Sequence, residues 1–165
     1  MLLRAAEIAD LAEIMALERL PQFRLQVGQW PEAKHRRVFD ETESRYFIAA
    51  TAADPYSGFA ILRGAGAPDG SVLLQRIVVR RPGEGVGSAM LRRLLQIVFH
   101  EYGAHRLWLD VFEDNLKAQR LYERFGFCVE GRLREAAYRD GRYFNMLIMA
   151  LLDREHTAKC DCDKP

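Results

Sequence analysis

The segment Arg80-Arg81-Pro82-Gly83-Glu84-Gly85-Val86-Gly87-Ser88 constrains this chain more than any other. Three alternating glycines lie between a run of strand formers, Val72 to Val79, and a long amphipathic stretch. Glycine lets the backbone take positive φ and lets an anion approach without meeting a Cβ. A helix N-terminus adds unpaired N–H groups and the positive end of its dipole. The junction therefore reads as a pyrophosphate cradle, against the plainer reading of a turn with a glycine string. The following helix is well marked: Met90, Leu91, Leu94, Leu95, Val98, Phe99 and Tyr102 recur at helical spacing, and Gly103 ends it. Two phosphate folds are excluded. A P-loop needs Lys-Ser/Thr after its last glycine, and Gly87 is followed by Ser88-Ala89. Gly83-x-Gly85-x-x-Ser88 nearly spells a dinucleotide fingerprint, with Asp110 on the next strand. However, the loop lies mid-chain behind antiparallel-looking strands, and only about 50 residues follow Asp110, too few for the second half of a doubly wound sheet.

The rest of the chain is organised around that junction. Residues 3–7 read as a short strand, and Asp10 with Glu13 reads as a capping box opening a helix through Leu11, Ile14 and Met15. Pro21 and Pro31 punctuate the next stretch, and Glu32 to Asp40 forms a second helical piece. Arg45 to Thr51 and Phe59 to Arg63 make a hairpin about Asp54-Pro55-Tyr56-Ser57-Gly58. Arg106 to Phe112 is almost uninterruptedly apolar, which suits a strand covered on both faces. Asn115 caps a helix with Ala118, Leu121, Tyr122 and Phe125 on one side and Gly126 at its end. Phe127 to Gly131 and Tyr143 to Leu152 close the fold as strands, with Asp140-Gly141 as a turn signal. The pattern predicts an α/β (α+β) fold with a central mixed, mainly antiparallel twisted sheet of about seven strands, flanked by helices. Residues 1–153 form one domain and residues 154–165 a polar tail.

The 165 residues suffice for one core without disulfide or metal. A net charge of +1 gives no general nucleic-acid or membrane footprint, and no apolar run approaches the roughly 20 residues that cross a bilayer. The start meets charge at once and lacks a signal core, so a cytoplasmic protein is expected. Cys160 and Cys162 lack a second pair to complete a metal site, and the four histidines are scattered, so no metal is expected. His35-Arg36-Arg37 reads as a solvated helix face.

With strand, glycine loop and capped helix in this order, the second half resembles the GNAT superfamily of N-acetyltransferases. Its loop pattern, Arg/Gln-x-x-Gly-x-Gly/Ala, is matched by Gly85-Val86-Gly87, with Pro82 where the family has Arg or Gln. Its second signature is similar to Asn115-x-x-Ala118-x-x-Leu121-Tyr122-x-x-Phe125-Gly126-Phe127. Leu133-Arg134 and Tyr138-Arg139-Asp140-Gly141-Arg142-Tyr143 look most like the ribosomal-protein N-terminal and polyamine acetyltransferase branches. The resemblance covers residues 72–152 well and the first 70 only in layout.

The resemblance implies acetyl-coenzyme A as cosubstrate. The amides of Glu84, Gly85, Val86, Gly87 and Ser88 would hold its pyrophosphate, the strand Ile77-Val78-Val79 would pair with the pantetheine arm, and Asn115 would contact that arm. Arg80 and Arg81 either meet phosphate oxygens or stand solvated. Tyr122 would protonate the departing thiolate; its alternative is a place in the core. The strand before the loop lacks the carboxylate that some members use as a base, which leaves a water chain, Glu41, Glu43 or Tyr138, or an amine that sheds its proton before binding. Trp30 and Phe23 either shape an acceptor pocket or pack in the core. The implied reaction is acetyl transfer to a primary amine (a small amine, an amino acid, a polyamine or a peptide N-terminus), with a homodimer possible. A non-catalytic acyl-coenzyme A-binding or regulatory module on the same fold is the alternative.

Overall fold

The computed structural model describes residues 1–156. Residues 157–165, and with them Cys160 and Cys162, lie outside the described residues.

Seven strands form one sheet: β1 (Leu2–Ala5), β2 (Arg45–Ala50), β3 (Gly58–Arg63), β4 (Ser71–Val79), β5 (Arg106–Phe112), β6 (Cys128–Arg139) and β7 (Arg142–Leu152). Their spatial order is β1-β2-β3-β4-β5-β7-β6. Every neighbouring pair is antiparallel except β4 and β5. Parallel neighbours need a crossover, and α3 (Val86–Gln96) supplies it, its last turn widened into a π-helix over Ile97–Glu101. The helix α4 (Leu116–Phe125) leads from β5 to the sheet edge, and β7 returns to fill the gap between β5 and β6. Asp140 and Gly141 both take positive φ at the tight turn joining β6 to β7, as their sequence signals.

One sheet face is covered by α3 and α4. Met90, Leu91, Leu94 and Leu95 pack there with Val72, Leu74, Leu107, Leu109 and Tyr122. The other face, at the β1–β4 end, is covered by α1 (Leu11–Glu18) and α2 (Glu32–Phe39), with Leu11, Ile14, Leu17 and Val38 against Ile48, Phe59, Ile61 and Val78. The α-helical periodicity of the sequence is thus borne out. Several local expectations are not, among them the end of a strand near Gly131, since β6 runs on to Arg139. β5 is covered along one face, where Leu107, Leu109 and Val111 are buried, and only at its end on the other, where Arg106 and Trp108 are half-buried, Asp110 is exposed and Phe112 is buried. Its apolar run reflects a wide Trp and Phe on the second face. His35 is fully buried rather than solvated, because α2 turns it towards α1.

A β-bulge shapes β4. Ile61 pairs with Arg76 but Leu62 pairs with Leu74, so Gln75 is an extra residue. A one-residue insertion reverses which face each later side chain points to. Val72 and Leu74 face α3, and beyond the bulge Ile77 and Val79 do so, while Arg76 and Val78 turn to the α1–α2 side. Gly58 is required beside this strand, since a Cβ there would lie 2.5 Å from the Val78 carbonyl oxygen.

Asp10 does not cap α1 with its side chain. Its carboxylate is drawn instead to stronger donors: both Arg4 guanidinium nitrogens at 2.7 and 2.8 Å, the Glu7 N–H at 2.7 Å and the Tyr56 hydroxyl at 2.8 Å. This ties β1, the start of α1 and the β2–β3 turn together, and the Arg4 bond chiefly holds the Asp10 pKa far below the usual carboxylate value. A depressed folded pKa adds stability that is complete above the unfolded value near 3.9 and is lost as pH falls below it. Asp10→Asn is expected to cost about 2 kcal/mol at neutral pH and to flatten the acid limb of stability between about pH 5 and 2, as read by denaturant melts across pH. An unchanged acid limb would refute this account.

Candidate active site

The parallel pairing of β4 with β5 holds only at Ser71–Arg106, Val72–Leu107 and Leu73–Trp108. Beyond these pairs the strands diverge. From Leu74 to Val79 the outer edge of β4 has no strand partner, while its other edge stays bonded to β3 through Gly58–Val79. Unpaired strand edges present free N–H and C=O groups. The structure thus opens a slot, walled by Ile77, Val78 and Val79 on one side and by the end of β5 on the other.

At the top of the slot the chain turns through the glycine loop. Gly83 and Gly85 have φ of 101° and 83°, and a Cβ on either would meet nothing within 4 Å. They are glycine for backbone conformation and open approach rather than for packing. Gly85 is the left-handed N-cap of α3. Ala89 makes the first helical bond, to Gly85, and among the described residues the amides of Glu84, Gly85, Val86, Gly87 and Ser88 donate to no protein atom. A Cβ on Gly87 would make only ordinary contacts, 3.7 Å from Val79 and 3.9 Å from Leu121, so packing does not demand glycine there. The loop is therefore a nest of free donors at a helix N-terminus, suited to an anion. Arg80 points away from it. Its Nε lies 3.0 Å from Asp54 and donates to the Tyr56 carbonyl, and its Nη2 lies 3.7 Å from Glu13. Arg81 stands exposed beside the loop.

The far wall comes from α4. Asn115 accepts from the Ala118 N–H at 3.2 Å, as a cap should, and its amide nitrogen has no partner among the described residues. Gly126 ends the helix at φ 99°. Tyr122, one helix turn before that end, is 7% exposed and packs against Phe127. Its hydroxyl has no protein partner among the described residues, yet it is not sealed from solvent. Burial, reinforced by the negative charge of Asp110, pushes the phenol pKa well up, so it holds its proton at neutral pH. Asp110 lies on the β5 edge of the slot. Solvent reaches it, but the surrounding protein desolvates its carboxyl enough to raise its pKa.

Behind β4, on the α1–α2 side, lies a cluster that the sequence did not announce. Glu18, wholly buried, bonds the Arg76 guanidinium, accepts the Trp30 N–H at 2.9 Å and meets His35 Nε2 at 3.2 Å. The other ring nitrogen of His35 lies 3.3 Å from the Tyr46 hydroxyl. Neutral His35 with its proton on Nε2 satisfies both contacts. Arg76 stacks on Trp30 at 3.9 Å. Burial lowers its pKa, and the Glu18 charge opposes that shift. Trp30 and Phe23 are both half-buried and pack against the α1–α2 core. The readable signal was slight, a charged residue within each of two largely apolar stretches, Glu18 and Arg76. Their meeting was not readable.

Other sequence candidates stand elsewhere. Glu41 pairs with Arg63 and Ser44, at the end of the sheet away from the glycine loop, and Glu43 precedes β2 at the same end. Tyr138, on β6, is exposed and packs on Tyr143. Among the described residues there is no metal-binding cluster of His, Cys, Asp or Glu, and no helix is long and apolar enough to cross a membrane.

Comparison with known proteins gives this geometry its context. Residues 11–127 match the acetyltransferase (GNAT) family model. A spermine/spermidine N(1)-acetyltransferase of Bacillus subtilis is 42% identical over 67 residues, 39% of this chain and 44% of that protein. An L-amino acid N-acetyltransferase of Escherichia coli is 34% identical over 71 residues, 43% of this chain and 44% of that one. The matches thus span less than half the length of these curated relatives. Among solved structures, spermidine N-acetyltransferase from Vibrio cholerae in complex with CoA and spermine superposes with a TM-score of 0.84 at 25% identity, covering 94% of this chain and 97% of that one. The splayed strands, the free amides of the glycine loop and the capped helix with Tyr122 are features of one fold, and the chain belongs to the acetyltransferase (GNAT) family.

Proposed function

We propose that this protein is an acetyl-coenzyme A-dependent N-acetyltransferase acting on a primary amine. The observation that carries this reading is the open edge of β4 leading to unpartnered amides at the start of α3, with the protonated Tyr122 across the slot. The residues fit the cosubstrate. Backbone amides of Glu84 to Ser88 complement a pyrophosphate. The edge of Ile77, Val78 and Val79 suits an amide-bearing arm added as a strand, and the free amide nitrogen of Asn115 offers it a further donor.

When bound, the cosubstrate supplies a thioester carbonyl carbon for attack by a neutral amine nitrogen. The C–N bond forms, the C–S bond breaks, and the sulfur takes the Tyr122 hydroxyl proton. A hydroxyl whose pKa is raised is protonated when it is needed, and solvent at its edge restores it. The attacking nitrogen sheds a proton to Asp110, whose raised pKa makes it a better acceptor than an ordinary carboxylate. No metal enters this scheme. The names of the relatives point to acceptors of opposite character, polyamines and amino acids.

The direct test is release of free thiol from acetyl-coenzyme A against amino acids, polyamines and short peptides, with cofactor binding measured in parallel. Release with an amine is expected; binding without release from any of them would favour a non-catalytic acyl-coenzyme A-binding module. Tyr122→Phe is expected to keep cofactor affinity while lowering kcat about tenfold or more, and unchanged turnover at saturation would remove Tyr122 from the mechanism. Asp110→Asn carries a double expectation. A carboxyl with a raised folded pKa costs stability once pH exceeds its unfolded value, so the variant should melt higher at pH 7 while kcat falls at least about tenfold. A higher Tm with normal kcat would make Asp110 a strained but uninvolved residue.

A further inference from the structure

Two guanidinium groups converge on the α1–α2 side of β4. A Cβ on Gly28, in the segment between α1 and α2, would stand 3.2 Å from Nη2 of Arg76 and 3.5 Å from Nη2 of Arg139. The two nitrogens therefore lie at most about 7 Å apart. They reach this point from different elements, β4 and the end of β6. Arg24 of the same α1–α2 segment, bonded to Asp140 in the β6–β7 turn, clips those elements together.

Neither Nη2 has a protein partner among the described residues. Arg76, only 8% exposed, spends Nη1 on Glu18, and Arg139 spends Nη1 on the Tyr138 carbonyl at 2.7 Å. Glu18 is sealed and fully engaged by Arg76, Trp30 and His35, so it cannot swing out to answer the second cation. Like charges held together in a partly dry place repel, and the arrangement is relieved by an anion between them. One carboxylate fits: it can accept a charge-assisted bond of about 2.7–2.9 Å at each oxygen. A polyamine brings further ammonium groups into the same field and gains nothing there.

We propose that Arg76 and Arg139 form an anion subsite that selects an acceptor amine bearing a carboxylate, an amino acid or a compound built like one, over a polyamine. The proposal rests on the acetyltransferase reading and names the acceptor class of that same site. The bulge at Gln75 directs Arg76 to this side of β4, and the Glu18 bond with Trp30 stacking fixes its plane before an acceptor arrives. Arg139 completes the pair from the hairpin.

The test compares L-amino acids with their C-terminal amides and with spermidine in the thiol-release assay, using the full chain. The carboxylate form is expected to lead its amide by tenfold or more in kcat/KM. Arg139→Gln should remove that lead, chiefly by raising KM for the carboxylate form. Arg76→Lys, which keeps a cation beside Glu18 so that folding survives, should weaken the lead in the same direction. An amide that is as good as its acid, or spermidine turned over better than any amino acid, overturns the proposal. Binding of N-acetyl-L-amino acids and their amides to the protein with coenzyme A, measured by calorimetry, separates the two readings. Discrimination of acid from amide without thiol release keeps the anion subsite and defeats the enzyme reading. Thiol release without discrimination keeps the enzyme and defeats the subsite.

Discussion

The divergence of β4 from β5 is the constraint on which the rest of the structure depends. Three residue pairs hold the two strands in parallel, and then their edges separate. A sheet closed along that line would bury the backbone groups of Ile77, Val78 and Val79 in a ladder and leave no slot. The bulge at Gln75 lies where the separation begins, and a bulge bends its strand and increases the local twist. The glycine loop then turns the chain away from the β4 end through positive φ at Gly83 and Gly85. The donor array and the open edge thus follow from one local rearrangement.

The buried group around Glu18 is the second organising feature. A carboxylate in a dry interior must be paired and fully hydrogen-bonded, and Glu18 is, through Arg76, Trp30 and His35. This binds α1, α2 and β4 together on that side of the sheet. The arrangement also fixes the orientation of Arg76, whose remaining donor is aimed out of the cluster. A side chain locked by its neighbours loses little entropy when it meets a ligand.

Much of this fold was legible in the sequence, and for identifiable reasons. The helix through Met90, Leu91, Leu94 and Leu95 follows from its period, and its burial is as expected. Asn115 and Gly126 mark the ends of α4 because capping and positive φ are local demands. Asp140-Gly141 marks a hairpin for the same reason. Misreadings arose where a distant partner decided the outcome. Asp10 resembled a helix cap, but Arg4 and Tyr56 offered it charged and hydroxyl donors. His35 resembled a surface residue between arginines, but Glu18 and Tyr46 gave it a buried place. The run from Arg106 to Phe112 resembled a doubly covered strand, yet one face carries Asp110 to the slot.

By itself, then, the sequence determined the local elements: the strand, the glycine nest, the period of α3, the cap of α4 and the family to which these motifs point. Each is written in residues a few positions apart, within reach of the same backbone hydrogen bonds. Only the tertiary structure decided what stands around the open edge of β4. It opened β4 from β5, set Asp110 within electrostatic reach of Tyr122, and brought Arg76 and Arg139 to the same point beside Gly28. Those meetings join residues tens of positions apart, and their free energies depend on burial and on charges from several elements at once. No local pattern encodes such terms, because they exist only after the chain has folded.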